Sequence, residues 1–384
     1  MRRAISPPRE NLGAEFAEIG FTARFEDGST YWDERVRYEF TLQEIERDLE
    51  VPVAELHALA LDVVDRAVSD EATLARLKIP YHAWDAIAAS WKRREPSLYG
   101  RFDLAFDGEG PAKLLEYNGD TPTALYEAAV VQWRWLEQLI ANGDLPADAD
   151  QFNSLHEKLI ARWARIGAGG FVHFACMFSE TDDRGTLGYI QDCADQAGLA
   201  TTTLDMGDIG LGPDGFYDRS ERRIERMFKL YPWEWMFADA FGKTPALRAT
   251  RFVEPPWKLI VTCKGALALM WERAKGHPNL LACGFEGEAG CPDMRSYARK
   301  PLFSREGADV ELVTPTTHER GRKAGYGGEG FVRQEFVKLP SFDHARAIVG
   351  AWVVGDEPAG MGLREDTNAI TSNRARFVPH VILA

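Results

Sequence analysis

The chain has 384 residues, 45% of them hydrophobic and 11% aromatic, with eleven Trp. That is material for two or three lobes around a sizeable core, and it excludes a disordered polypeptide. A formal charge of −14 argues against a general nucleic-acid partner, because phosphate backbones call for a basic surface. The same acidity serves plain solubility or the binding of cationic substrates such as polyamines. No run approaches the roughly 18 apolar residues of a membrane span, and no apolar segment follows Arg2 and Arg3. Neither a membrane partner nor a signal peptide is therefore expected, and the expected location is cytoplasmic. Composition says nothing of the oligomeric state.

Apolar spacing predicts a helix over residues 43–78, opened by Thr41 and Glu44 three positions later in the pattern of a capping box. Two short strand-like runs follow, 102–106 and 112–117, around the turn Asp107-Gly108-Glu109-Gly110, which together read as a β-hairpin. Residues two apart on a strand share a face, so Arg101 pairs with Asp103 and Glu116 with Asn118. If the two faces coincide, a cation meets three oxygen ligands. Such a set suits Mg²⁺ with an arginine ready for phosphate; the alternative is surface charge on an exposed hairpin.

Further helices are expected over 124–140 and 151–166, separated by Gly143-Asp-Leu-Pro146. The continuous apolar run 171–178 then marks a strand buried on both faces. A helix over 186–197 and a strand over 200–204 complete a β-α-β unit, which implies a parallel sheet. Loops at the carboxyl ends of such strands hold ligands, so Glu180, Asp182 and Asp183 are candidate substrate contacts or, equally, helix caps.

After the stiff turn Glu254-Pro-Pro-Trp257, residues 258–262 read as a strand ending near Lys264, with a helix over 266–275. Lys300 leads into Pro301-Leu-Phe-Ser304-Arg305-Glu306-Gly307, read as a strand and a Ser/Gly loop able to turn backbone N–H groups to phosphate. Lys264 and Lys300 are either solvated or phosphate-neutralising. The strand Gln334-Glu335-Phe336-Val337 is either core or the edge of an adenine pocket. Strand 347–354 and Gly360-Met-Gly-Leu-Arg364 close the pattern. Five cysteines, at 176, 193, 263, 283 and 291, form no CxxC pair and fit reduced thiols, with a metal or redox site at Cys283 and Cys291 as the lesser alternative. No GxxxxGK[ST], GxSxG or HExxH is present.

These pieces in order, RFD (101–103), LEYNGDTPT (115–123), EPPWK (254–258), HPNLL (277–281), RKPLFSREGADV (299–310), QEFV (334–337), WVVG (352–355) and GLRED (362–366), resemble the glutathionylspermidine synthase family. The resemblance runs from about residue 20 to the C-terminus. It implies mixed α/β and α+β architecture: a circularly permuted ATP-grasp-like fold with a Rossmann-like pre-ATP-grasp lobe. On that reading, residues 1–250 carry the helical region, the metal hairpin and the pre-ATP-grasp lobe, and 251–384 carry the nucleotide-binding and lid region, with interleaved boundaries. It implies ATP and Mg²⁺, with Asp103, Glu116 and Asn118 as metal ligands and Arg101 and Arg364 on the transferred phosphoryl group. Lys264 and Lys300 would bind phosphate oxygens, Glu306 and Gly307 would lie in a closing loop, and 334–337 would line the adenine pocket. Thr121, Thr123, Asp182 and Asp183 are weaker substrate positions. The activity implied is ATP-dependent ligation of a small peptide carboxylate to an amine. The chain has the length of the synthetase unit without an amidase domain. The alternatives are an ATP-binding regulator or scaffold that has lost ligation, and a polyamine-binding module.

Overall fold

The computed structural model describes residues 1–10, 12–167 and 170–383, with side chains given at all of these except 181 and 182. A six-stranded antiparallel sheet forms the centre of the molecule. Its path runs Arg376–Val378, Glu357–Asp366, Ala345–Val354, Tyr99–Ala105, Lys113–Asn118, with Ser341–Phe342 paired off to the side against Ala345–Val354. The hairpin and two C-terminal strands thus lie edge to edge, although more than 200 residues of chain separate them. One face packs on helices Val51–Ala67, Lys258–Thr262 and Gly265–Arg273. Tyr117 stacks on Phe102 there, ring centroids 3.9 Å apart. The other face carries the charges described below.

The β-α-β unit is present. Strands Arg251–Val253, Arg226–Leu230, Phe171–Cys176 and Ala200–Asp205 form a four-stranded, wholly parallel sheet in that order. Helices Leu155–Gly167 and Thr181–Gln196 pack against each other and on this region. Their core joins that of Trp352 and Phe377 from the central sheet. A five-stranded antiparallel sheet (Cys283–Phe285, Phe331–Glu335, Tyr297–Pro301, Glu311–Val313, His318–Arg320) docks against the edge strand Lys113–Asn118. A three-stranded sheet joins Arg2–Ile5, Val36–Phe40 and His380–Ile382. Among the described residues no helix is long and apolar enough to cross a membrane.

Several elements depart from their sequence reading. The Thr41–Glu44 capping box forms, but the long first helix contains a π-helical stretch at Glu46–Glu50 and ends at Ala67. A separate helix, Glu71–Arg76, begins at Asp70, whose side chain accepts from the Ala72 N–H. Residues 258–262 are helical instead of a strand. Their β-branched composition favours extended backbone, but Lys258 through Val261 are all buried, and packing overrides a weak local preference. Lys264 therefore sits between two helices, not at a strand-to-helix junction. Lys300 lies inside the strand Tyr297–Pro301 and the loop follows it. The helix expected from 186 starts at Thr181, so Asp182 and Asp183 occupy its first turn; the Asp182 side chain lies outside the described residues. All five cysteines are free thiols, and burial pushes Cys176, Cys193, Cys263 and Cys283 up to about 12.

Candidate active site

The hairpin faces coincide. Arg101 is directly opposite Asn118 and Asp103 opposite Glu116, so all four side chains rise from one face of the sheet. The next strand contributes Gly350 opposite Asp103 and Trp352 opposite Arg101. Beyond it, Gly362 faces Gly350, and Arg364 is two residues along on the same face. The two glycines on adjacent strands make room for different side chains: Gly350 for Arg101 and Gly362 for the Phe377 ring, 2.6 Å from where a Cβ would stand. Arg101 passes over Gly350 with its guanidinium carbon 5.6 Å from the centre of the Trp352 ring.

Asp103 is the hub. Arg101 donates through Nε to Oδ1 at 2.6 Å and through Nη2 to Oδ2 at 3.0 Å, and Arg364 Nη2 donates to Oδ2 at 2.9 Å. Arg101 also donates to the Thr123 carbonyl at 2.5 Å. The two guanidiniums respond differently. Burial opposes the charge on Arg101, but Asp103 more than compensates and raises it above its usual range. Arg364 falls below its usual range, through burial first and Arg101 second.

Glu116 belongs to the lysines. Lys264 Nζ is 3.2 Å from its Oε2 and donates to the Ser304 carbonyl at 2.6 Å. Lys300 donates to the Leu115 carbonyl at 2.8 Å and to Gln334 Oε1 at 2.7 Å; Gln334 in turn donates to the Leu114 carbonyl. Burial pushes the Glu116 carboxyl up, yet Lys264 and Lys300 overcome it and hold it down to about 2. Burial lowers Lys300 to about 8 despite Glu116. The Asn118 amide nitrogen donates to both Asp103 Oδ2 and Glu116 Oε1 at 3.3 Å, so the amide bridges the two carboxylates. Among the described residues no group of three or more His, Cys, Asp or Glu side chains is placed to hold a metal; a metal here would use the amide oxygen of Asn118.

The remaining sequence candidates divide. Val337 packs with Ala105, Leu115, Leu339 and Ile348 in a small apolar cluster where the five-stranded and central sheets meet. Phe336 follows the strand, its N–H bonded to the Ser296 carbonyl. Glu335 is exposed. Glu306 and Gly307 occupy left-handed backbone, φ 53° and 69°. Glu306 is exposed, 3.7 Å from Arg322, and a Cβ on Gly307 would lie 2.6 Å from the Thr371 carbonyl oxygen. Thr121 accepts from Arg305 at 2.8 Å. Asp183 bears on Tyr99 and Cys176 from its helix.

Two connections went unread in the sequence. Arg305 links Thr121 to Glu234 at 2.7 Å, tying the loop after Lys300 to the helix Trp233–Ala238. Asp120 receives Lys229 Nζ at 2.8 Å and the Trp233 N–H at 2.8 Å. Asp120 lies within the LEYNGDTPT segment, so a signal for one partner existed; Lys229, in the middle of an apolar strand, gave none.

The described fold resembles a glutathione synthetase-like effector from Globodera pallida, solved in its apo form. The TM-score is 0.54 at 11% identity, covering 94% of this chain and 93% of that one. The chain belongs to the glutathionylspermidine synthase preATP-grasp family, whose model matches residues 3–383. It is 39% identical to a Haemophilus influenzae protein named "Putative acid--amine ligase", over 97% of each. It is 28% identical to the trypanothione synthetase of Crithidia fasciculata over 84% of this chain, and it spans 53% of that longer protein.

Proposed function

We propose that the protein is an ATP-dependent carboxylate–amine ligase, built on a circularly permuted ATP-grasp-like arrangement, that forms an amide through an acyl phosphate. One observation carries this reading: Arg101, Arg364, Lys264 and Lys300 surround Asp103, Glu116 and Asn118 where the central and five-stranded sheets meet. Four cations around a hard oxygen set suit a polyphosphate with its counter-ion. A scaffold has no use for a half-buried carboxylate paired with one lysine and under the charge of a second.

Asp103, Glu116 and Asn118 would hold Mg²⁺ through hard oxygen ligands; Asn118, which turns its amide nitrogen to both carboxylates, would present its oxygen to the ion after a flip of the amide. Bound there, the ion supplies charge neutralisation of phosphate oxygens. Lys264 and Lys300 would bind phosphate, and the apolar cluster around Val337 would cover the adenine ring. A substrate carboxylate attacks the γ-phosphoryl group of ATP, and ADP leaves. The amine, having given up its ammonium proton to solvent, then attacks the acyl carbon through its nitrogen lone pair; the C–O bond to phosphate breaks, phosphate departs with the electron pair, and the nitrogen sheds one more proton to leave the neutral amide. Arg101 and Arg364 would hold the transferred phosphoryl group in both steps. Catalysis is thus positioning and electrostatics, with no nucleophilic side chain required.

The family and the trypanothione synthetase relative favour a small peptide as carboxylate and a polyamine-like amine. Residues 1–250 and 251–384 would then be interleaved lobes, with Glu306 and Gly307 in the loop that closes over nucleotide. Phosphate release from Mg·ATP, measured against panels of peptides and amines, tests the reading. Release that requires one member of each panel supports it. Nucleotide binding with no release from any pair would favour the regulatory alternative.

A further inference from the structure

Arg101, Arg364, Trp352, Phe377, Ala124 and the two glycines Gly350 and Gly362 line a cavity of about 10 Å³, close to the least space that admits one water molecule. Apart from the two guanidiniums, its side chains are apolar. Trp352, Phe377 and Ala124 belong to one buried core. The helical segment that begins at Leu125 presses on the sheet beside them, with Ala128 Cβ 3.5 Å from where a Cβ on Gly362 would stand. Ala124, immediately before that segment, has left-handed backbone, φ 65°. A Cβ is penalised in that region, and glycine is the relaxed choice. The turn itself has a use: it joins the helical segment to Thr123, whose carbonyl accepts from Arg101 at 2.5 Å. Its methyl group serves no purpose in the turn, and the cavity wall supplies one.

An acyl phosphate has two nucleophiles to meet, the amine and water. When the oxygen of water attacks the acyl carbon, the C–O bond to phosphate breaks and phosphate leaves with the electron pair. The water gives its protons to solvent and phosphate, the carboxylate is regenerated, and ATP has been spent without an amide. A closed, apolar space around the activated group suppresses that loss. Resting on the ligase reading above, we propose that Ala124 is a water-excluding residue. Its methyl closes the space beside Arg101 and Arg364, so that the acyl phosphate they hold survives until the amine arrives. Ala124 makes no bond to the reacting atoms; what it sets is the partition between amide formation and hydrolysis.

Wild type and Ala124→Gly are compared in ¹⁸O-labelled water with Mg·ATP, a peptide and an amine from the panels above, glutathione and 1,4-diaminobutane being tried first. Phosphate and amide are both counted, and label in the recovered peptide carboxylate reports water attack on the acyl carbon. Ala124→Gly should melt close to wild type, because relief of the left-handed backbone and loss of a buried methyl oppose each other. It should nevertheless release about tenfold more phosphate per amide formed, the effect of roughly 1.4 kcal/mod in the barrier to water attack, and it should carry label into the peptide. Ala124→Ser keeps a Cβ at the wall and should restore most of the coupling. The ratio of phosphate to amide does not depend on how much of the protein is folded, so a loss of stability cannot imitate the effect. Equal ratios in wild type and Ala124→Gly overturn the inference. So does a raised ratio with an unlabelled peptide, since water would then have met a group other than the acyl carbon. A wild-type protein that forms no amide from any pair sinks the ligase reading itself, and the inference with it.

Discussion

Arg101 lies across Gly350: a Cβ built on the glycine would come within 2.9 Å of Arg101 Cδ and 3.3 Å of its Nε. The glycine has an ordinary strand conformation, so its role is clearance for the arginine. Gly350→Ala should therefore displace the guanidinium from Asp103 while leaving the sheet in place. The expected cost in stability is about 1–3 kcal/mol, as for other overpacking changes. The expected loss of turnover is larger, on the order of 10²-fold, because a displacement of about 1 Å at a positioning group has that effect. Turnover and melting temperature measured together check this. A variant that melts early yet keeps full turnover would remove Arg101 from the reaction.

Glu116 gives a prediction with two readouts. Glu116→Ala should abolish Mg·ATP-dependent phosphate release, and near-normal turnover would refute the metal assignment. The acid side follows from linkage. The folded carboxyl sits at about 2, below its ordinary 4.5, so its contribution to stability is complete above 4.5 and disappears as pH falls toward 2. Denaturant midpoints of wild type and Glu116→Ala should differ at pH 6 and converge toward pH 2. A constant gap across that window would mean that Lys264 and Lys300 do not hold the carboxylate.

The hairpin shows how far the sequence could be read. Period-two alternation placed Arg101 with Asp103 and Glu116 with Asn118, and the register of the turn made their faces one. Alternation carries no information on strand order, so Gly350, more than 200 residues away, was hidden, and Arg364 was reached only through the family resemblance. The misread helix at 258–262 has a different cause. Its Leu-Ile-Val-Thr composition speaks for extended backbone, and only the buried surroundings of Lys258 reverse it. That side chain lies 3.3 Å from Glu254, an i,i+4 neighbour, but its hydrogen bond to the Tyr99 carbonyl at 2.9 Å reaches across 159 residues, which no local pattern encodes.

Lys300 titrates within reach of ordinary buffers. Burial lowers it to about 8 from 10.5, so below pH 8 it is cationic and above pH 8 it loses its proton in the folded protein while the unfolded chain keeps it. If Lys300 binds phosphate, affinity for Mg·ATP should decline as pH rises from 7 to 9. Lys300→Arg should bind with no such step, because a guanidinium stays charged throughout. Lys300→Ala should weaken nucleotide binding at every pH. Titration calorimetry across that range decides it, and a flat wild-type profile would take Lys300 out of the nucleotide site.

Asp120 and Lys229 join the loop leaving the hairpin to the end of a parallel strand, and both side chains are fully buried. Lys229 also donates to the Tyr231 carbonyl at 2.8 Å, and burial pulls its pKa below the usual range against the attraction of Asp120. Removing one partner leaves a buried charge without its counter-ion. Lys229→Met should therefore destabilise the protein by about 3–5 kcal/mol, and Asp120→Asn similarly. Removing both charges leaves nothing to desolvate, so Asp120→Asn with Lys229→Met should cost clearly less than the sum of the single changes. Because Asp120 follows Asn118 by two residues, the stable double variant should also lose turnover through a loosened hairpin end. Urea denaturation of the four proteins of that cycle tests the pairing. Strictly additive losses would show that the two groups stabilise the fold independently, with Asp120 then acting through the Trp233 N–H.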